Sequence, residues 1–112
     1  MLRLFAYVAV SLVITHYLVV PSLSQDLEAG RLLAEDKCGR CHATGVDDKS
    51  KLATAPPFRV LASRYPVENL AEALAEGIVT GHPSMPEFVL NPDEIDNLLS
   101  FIDWLGAQKP AK

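Results

Sequence analysis

Cysteine is almost missing from this sequence: its 112 residues hold two, Cys38 and Cys41, three positions apart. One close pair cannot make the disulfide framework that braces many small exported domains. Methionine is as scarce, with only Met1 and Met85, and Trp104 is the single tryptophan. No segment alternates like a strand, and there are no repeats or low-complexity tracts, so the pattern excludes all-β and solenoid classes. Positive charge is also short, with 10 Lys and Arg against 14 Asp and Glu and a formal net charge of −4. Such a chain is poorly suited to nucleic acid, whose binding rests on neutralising phosphates.

What the chain does have begins with a hydrophobic run from Leu4 to Val20, preceded by Arg3 and followed by Pro21-Ser22-Leu23-Ser24. A cation, an apolar stretch and small residues at Ser22 and Ser24 form the pattern of a secretory signal over 1–24, with Gln25 as the first exported residue. The rival is an uncleaved anchor, although 17 residues broken by Thr15 and His16 are at the short edge of what spans a bilayer. Either way the remainder is sent to a periplasmic or other extracytoplasmic place, membrane-tethered if the segment stays. Residues 25–112 are then one domain of 88 residues, and losing Arg3 takes the net charge from −4 to −5. A core of that size is marginal alone, so a prosthetic group is expected to complete it.

The expected class is all-α. A first helix is predicted from Asp26 to about Arg40, with Asp26 and Glu28 suited to its N-terminus. Gly30, Leu33, Ala34, Lys37, Cys38 and Cys41 share one face of it. On that face Gly30 either admits another backbone or is a tolerated interior glycine costing ~1 kcal/mol. Residues 43–57 compose a loop, and Phe58 to Arg64 a short helix. A third helix is predicted from Pro66 to Gly77, with Leu70, Leu74 and Ile78 as its buried stripe. Ile78 to Leu90 lacks a period. A fourth helix has Asn91 as its cap, Pro92 in the first turn and Glu94 completing a capping box. Its stripe is Ile95, Leu98, Leu99, Ile102 and Leu105, and Gly106 is its expected stop.

Cys38-Gly39-Arg40-Cys41-His42 fits C-x-x-C-H, the haem-attachment pattern. Spacings of i, i+3 and i+4 let one helical turn present both thiols and the imidazole together. The thiols can add to two vinyl groups of one porphyrin while the imidazole reaches the iron. A surface disulfide beside an incidental histidine is the bland alternative. A thioredoxin-like dithiol is the functional one, but it belongs in a βαβ context that the chain lacks. A zinc site would need more ligands, and His82 is the one other histidine after His42. For a second axial group the candidate is Met85, between Pro83 and Pro86, where a lone methionine could otherwise be core filler. His82 could also ligate.

Together these features resemble class I c-type cytochromes over Asp26 to Gln108. The resemblance rests on Gly30, the C-x-x-C-H motif, the Met85-Pro86 loop and the aromatic-bearing last helix. It implies about four helices packed around one covalently bound haem c, with Cys38, Cys41, His42 and Met85 as binding residues. His42 and Met85 would be the iron ligands. It further implies that the outer helices cross with Gly30 against Leu98 and Phe101, that the Pro56 carbonyl holds the His42 ring, and that Phe58 packs on the haem. Arg59, Arg64 and Tyr65 could bond its propionates, or be surface charges and a half-buried tyrosine. Ala34 stands where an aromatic is usual, and the dense lysine ring of the best-known members is missing, so no strongly acidic partner is implied.

The expected function is one-electron transfer between exported or membrane redox proteins, such as an oxidase, a dehydrogenase or a membrane cytochrome complex. The carrier is expected to be a monomer with no small-molecule substrate and no enzymatic activity. The alternative is a five-coordinate haem peroxidase or ligand sensor, which would require Met85 to be off the iron.

Overall fold

In the computed structural model the described residues are 26–64, 66–77 and 85–109. The expected signal segment, Gln25, Tyr65, Ile78, Gly81, His82 and Pro83 lie outside them. The described residues form four α-helices and one short 3-10 helix, without a strand: α1 Leu27–Lys37, α2 Phe58–Arg64, the 3-10 helix Val67–Leu70, α3 Ala71–Glu76 and α4 Pro92–Ala107. The all-α expectation is met.

Helix α4 organises the fold. Asn91 and Glu94 exchange hydrogen bonds at its start, the Asn91 amide donating to Glu94 Oε2 at 3.0 Å and the Glu94 amide to Asn91 Oδ1 at 2.9 Å. Together they satisfy two of the amides a helix start leaves without partners. Six residues along α4 are buried: Ile95, Leu98, Leu99, Phe101, Ile102 and Leu105. At about 1.5–3 kcal/mol for each large apolar side chain taken fully from water, this face is the main source of cohesion.

Helix α1 crosses α4 at Gly30. A methyl group there would stand 2.9 Å from Phe101 Cβ and 2.7 Å from the Asn97 carbonyl carbon, so only glycine lets the two helices approach. Phe101 was expected at this crossing, and the Asn97 carbonyl, which was not, presses on Gly30 as well. The side chain of Leu98, 3% exposed, belongs to the core, and the preceding carbonyl is what faces α1. The α1 start is stitched to the same place. Asp26 Oδ1 accepts from the Ala29 amide at 3.0 Å, and the Asp26 amide donates to Asn97 Oδ1 at 2.8 Å.

Three expected boundaries shift. Helix α1 ends at Lys37, not near Arg40, and continues as turns in which the Cys41 and His42 amides both donate to the Cys38 carbonyl, at 3.1 and 3.0 Å. Pro66, with ψ 123°, lies before the third helix, which begins as the 3-10 helix and becomes α-helical only at Ala71. Its end is as expected, at Gly77 with φ +74°, a conformation that favours glycine. Leu70 and Leu74 pack half-buried against the core. Gly106 does not stop α4, which runs to Ala107. It is instead where α2 rests on α4, for a methyl group at Gly106 would lie 2.6 Å from Ala62 Cβ. Helix α2 itself has the expected bounds, with Phe58 and Leu61 buried.

Candidate haem site

The turn after α1 holds three chemically active groups in five residues. Cys38 and Cys41 are free thiols, and His42 follows at once. Their backbone is fixed by the loop that returns beneath them. The Leu52 amide donates to the Cys41 carbonyl at 3.1 Å, the Phe58 amide to the Ala43 carbonyl at 2.9 Å, and the Ala43 amide to Ser50 Oγ at 3.0 Å.

The His42 ring is set from two directions. Its Nδ1 is 2.7 Å from the Pro56 carbonyl oxygen, and the Phe58 ring lies 5.0 Å away, tilted by 45°. A carbonyl can only accept, so Nδ1 carries the proton and donates. Nε2 therefore keeps its lone pair, which is the tautomer a metal ligand needs. Burial, with the Asp36 carboxylate as the smaller influence, pushes the Cys38 thiol up to about 11. Redox and nucleophilic cysteines are lowered instead. This thiol is thus protonated at neutral pH, which argues against a dithiol oxidoreductase.

These groups face a cavity of about 510 Å³. Cys38, Cys41, His42 and Pro56 line one side; Met85, Pro86 and Phe88 contribute from the other strand of chain. Thus all four residues singled out from the sequence, Cys38, Cys41, His42 and Met85, reach one cavity. Met85 is half-buried, and its segment is tied further along by the Leu90 amide, which donates to the Leu74 carbonyl at 2.9 Å. Phe88, Leu52 and Thr54 also line the cavity and were not picked out from the sequence. For Phe88 the available signal was an aromatic three residues after the methionine. Arg59, one of the propionate candidates, donates to the Gly45 carbonyl at 3.4 Å and approaches Asp48 Oδ1 at 3.5 Å, so it braces the 45–48 loop. Arg64 is exposed.

The donor set suits a porphyrin: two thiols on one turn, an oriented imidazole and a mostly apolar slot. Among the described residues no group of three or more His, Cys, Asp or Glu is arranged to hold a bare metal ion. The sequence model for the family described as Cytochrome c matches residues 27–106. The chain belongs to the cytochrome c family. It is accordingly a domain for haem-based electron transfer, and its cofactor is covalently bound haem c. Comparison with curated proteins gave no match, and comparison with solved structures gave none. No helix among the described residues of this cytochrome is long and apolar enough to cross a membrane.

Proposed function

We propose that this cytochrome is a monohaem electron carrier, its haem joined to Cys38 and Cys41 and its iron held by His42 and Met85. The observation that carries the reading is the His42 ring, whose Nδ1 is committed to Pro56 while both thiols and Met85 share its cavity. Haem bound there supplies the one-electron iron couple. The two cysteines fix the group against loss, and Pro56 and Phe58 keep the imidazole from turning. Met85 supplies a soft, neutral thioether that favours the reduced state and denies small ligands a vacant position. Phe88 and Leu52 exclude water from the rim.

Residues 1–24 act in this reading as an export signal, which places the domain where cytochrome maturation and its redox partners occur. The carrier works as a monomer between redox proteins, without catalysing a reaction of its own. A net charge of −5 on residues 25–112 favours partners whose docking surface is neutral or basic. Absorption spectra of the haem-loaded protein test the ligand set. A low-spin, six-coordinate protein with the weak sulfur-to-iron band when oxidised, and slow to bind carbon monoxide, is expected. A high-spin protein that binds carbon monoxide readily would instead mark a haem enzyme or sensor.

A further inference from the structure

The proximal side contains a feature outside the binding motif. Helix α2 begins at Phe58, two residues after the carbonyl that holds His42, and the Phe58 ring is itself against the imidazole. The Pro56–Phe58 corner is continuous with α2, whose first residue is Phe58, and it meets the 43–52 loop through the Phe58 amide on the Ala43 carbonyl and the Ala55 amide on the Leu52 carbonyl, at 2.9 and 3.0 Å. The seat of α2 is its contact with α4 at Gly106. A methyl group on Gly106 would meet Ala62 Cβ at 2.6 Å and the Arg59 carbonyl oxygen at 3.6 Å. Neither atom is the end of a flexible side chain, so the obstruction cannot be relieved by a rotamer change. Relief requires α2 to move or the last turn of α4 to open.

We propose that the Gly106–Ala62 contact positions the His42 imidazole, setting the length of the Pro56 hydrogen bond and through it the reduction potential. This rests on the reading of His42 as an iron ligand. The chemistry is direct. Donation from Nδ1 to a carbonyl makes the ring a more basic donor, and a more basic donor stabilises ferric over ferrous iron. A displacement of α2 that stretches that bond weakens the donor and raises the potential. Gly106 and Ala62 touch neither iron nor partner, so they are positioning residues.

The experiment uses the haem-loaded protein with four variants: Gly106→Ala, Ala62→Gly, the two combined, and Asn91→Ala as a control that weakens α4 at its far end. Gly106→Ala should shift the ferrous-to-ferric ratio at fixed ambient potential by about threefold toward ferrous, a modest effect beside the 10–100-fold in metal affinity or activity that losing such a partner outright costs. For a one-electron couple that is about 28 mV, at 59 mV per tenfold. The Nδ1 proton resonance of His42 in the ferrous protein should move in step. Combining Ala62→Gly with it restores the space, and both readings should return to wild type although helix propensity has worsened. Asn91→Ala should lower the melting temperature and leave both readings alone.

A Gly106→Ala protein that melts earlier but keeps the wild-type potential and proton shift, with an intact low-spin spectrum, overturns the proposal and leaves the ligand reading standing. A high-spin wild-type spectrum overturns the ligand reading, and this proposal with it. If Gly106→Ala does not accumulate, Ala62→Gly alone decides. A potential displaced beyond the Asn91→Ala control supports the seat, and one equal to wild type overturns it.

Discussion

On the attachment side of the cavity, His42 is gripped by a carbonyl at 2.7 Å and by an aromatic ring, and its backbone is sewn to the 43–58 loop through Ala43, Ser50 and Leu52. On the Met85 side, residues 86–90 run without helix or strand, and the Leu90 amide is bonded to the Leu74 carbonyl near the start of α4. Within it Val89 is 73% exposed, between Phe88 packed against the core and Leu90 buried in it. The loop around His42 is bonded at several points, and the 86–90 segment joins the core through Phe88 and Leu90. In the proposed reading, haem attachment and the second iron ligand therefore belong to differently built parts of the chain.

The heaviest blow to that contrast is removal of both thiols. Cys38→Ala with Cys41→Ala should abolish haem staining after denaturing electrophoresis and leave a chain with little cooperative thermal transition by circular dichroism. A native-like transition without haem would show that the attachment side stands without its cofactor. Next in size is Met85→Ala. It should keep the haem on the chain, open the iron to carbon monoxide and lower the potential by on the order of 0.1 V, within the ~0.8 V that axial ligands span. Unfolding of that variant would erase the distinction between the two parts.

Gly30→Ala sharpens the comparison from the attachment side. Alanine gains ~1 kcal/mol in helix propensity. The added methyl group, however, meets the Asn97 backbone, and overpacking of this kind costs about 1–3 kcal/mol. The net result should be a melting temperature lower by several degrees, at about 4–8 °C per kcal/mol for a domain this size. The spectrum and ligand binding should be unaltered. The smallest effect belongs to Asn91→Ala, where losing the cap costs about 1 kcal/mol and the spectrum again stays as it was.

How far the sequence disclosed all this depended on whether a residue's partner was near it in the chain. Asn91, Pro92 and Glu94 answer to one another within a single turn, and the start of α4 was legible to the residue. The same is true of Phe58 to Arg64, bounded by prolines on one side and Pro66 on the other. The C-x-x-C-H motif is local as well, and the haem c it pointed to is the family's cofactor. Gly106 was misjudged because a glycine near a helix end usually stops it, whereas here its partner, Ala62, is on another helix. Likewise the Asn97 carbonyl at Gly30 was not foreseen, since apolar periodicity marks buried side chains and says nothing of which carbonyl a neighbour will press upon. The 3-10 turn at Val67, whose side chain is 3% exposed, was not legible, because the local sequence read as the first turn of an ordinary helix.

The stitch between the Asp26 amide and Asn97 joins positions 71 apart in the chain. It has a consequence for the order of events during biogenesis. Synthesis from the N-terminus delivers α1 and the two thiols well before α4 exists. An isolated helix of 11 residues is marginal in water. With its partner helix still unmade, the face bearing Gly30 and Ala34 has nothing to close upon, and the motif stays open to whatever enzyme installs the haem. Folding then shuts a door that synthesis holds ajar. A chain cut short before Asn91 should therefore still acquire covalent haem while remaining unfolded. If it emerged without haem, attachment would have to follow the helix crossing rather than precede it.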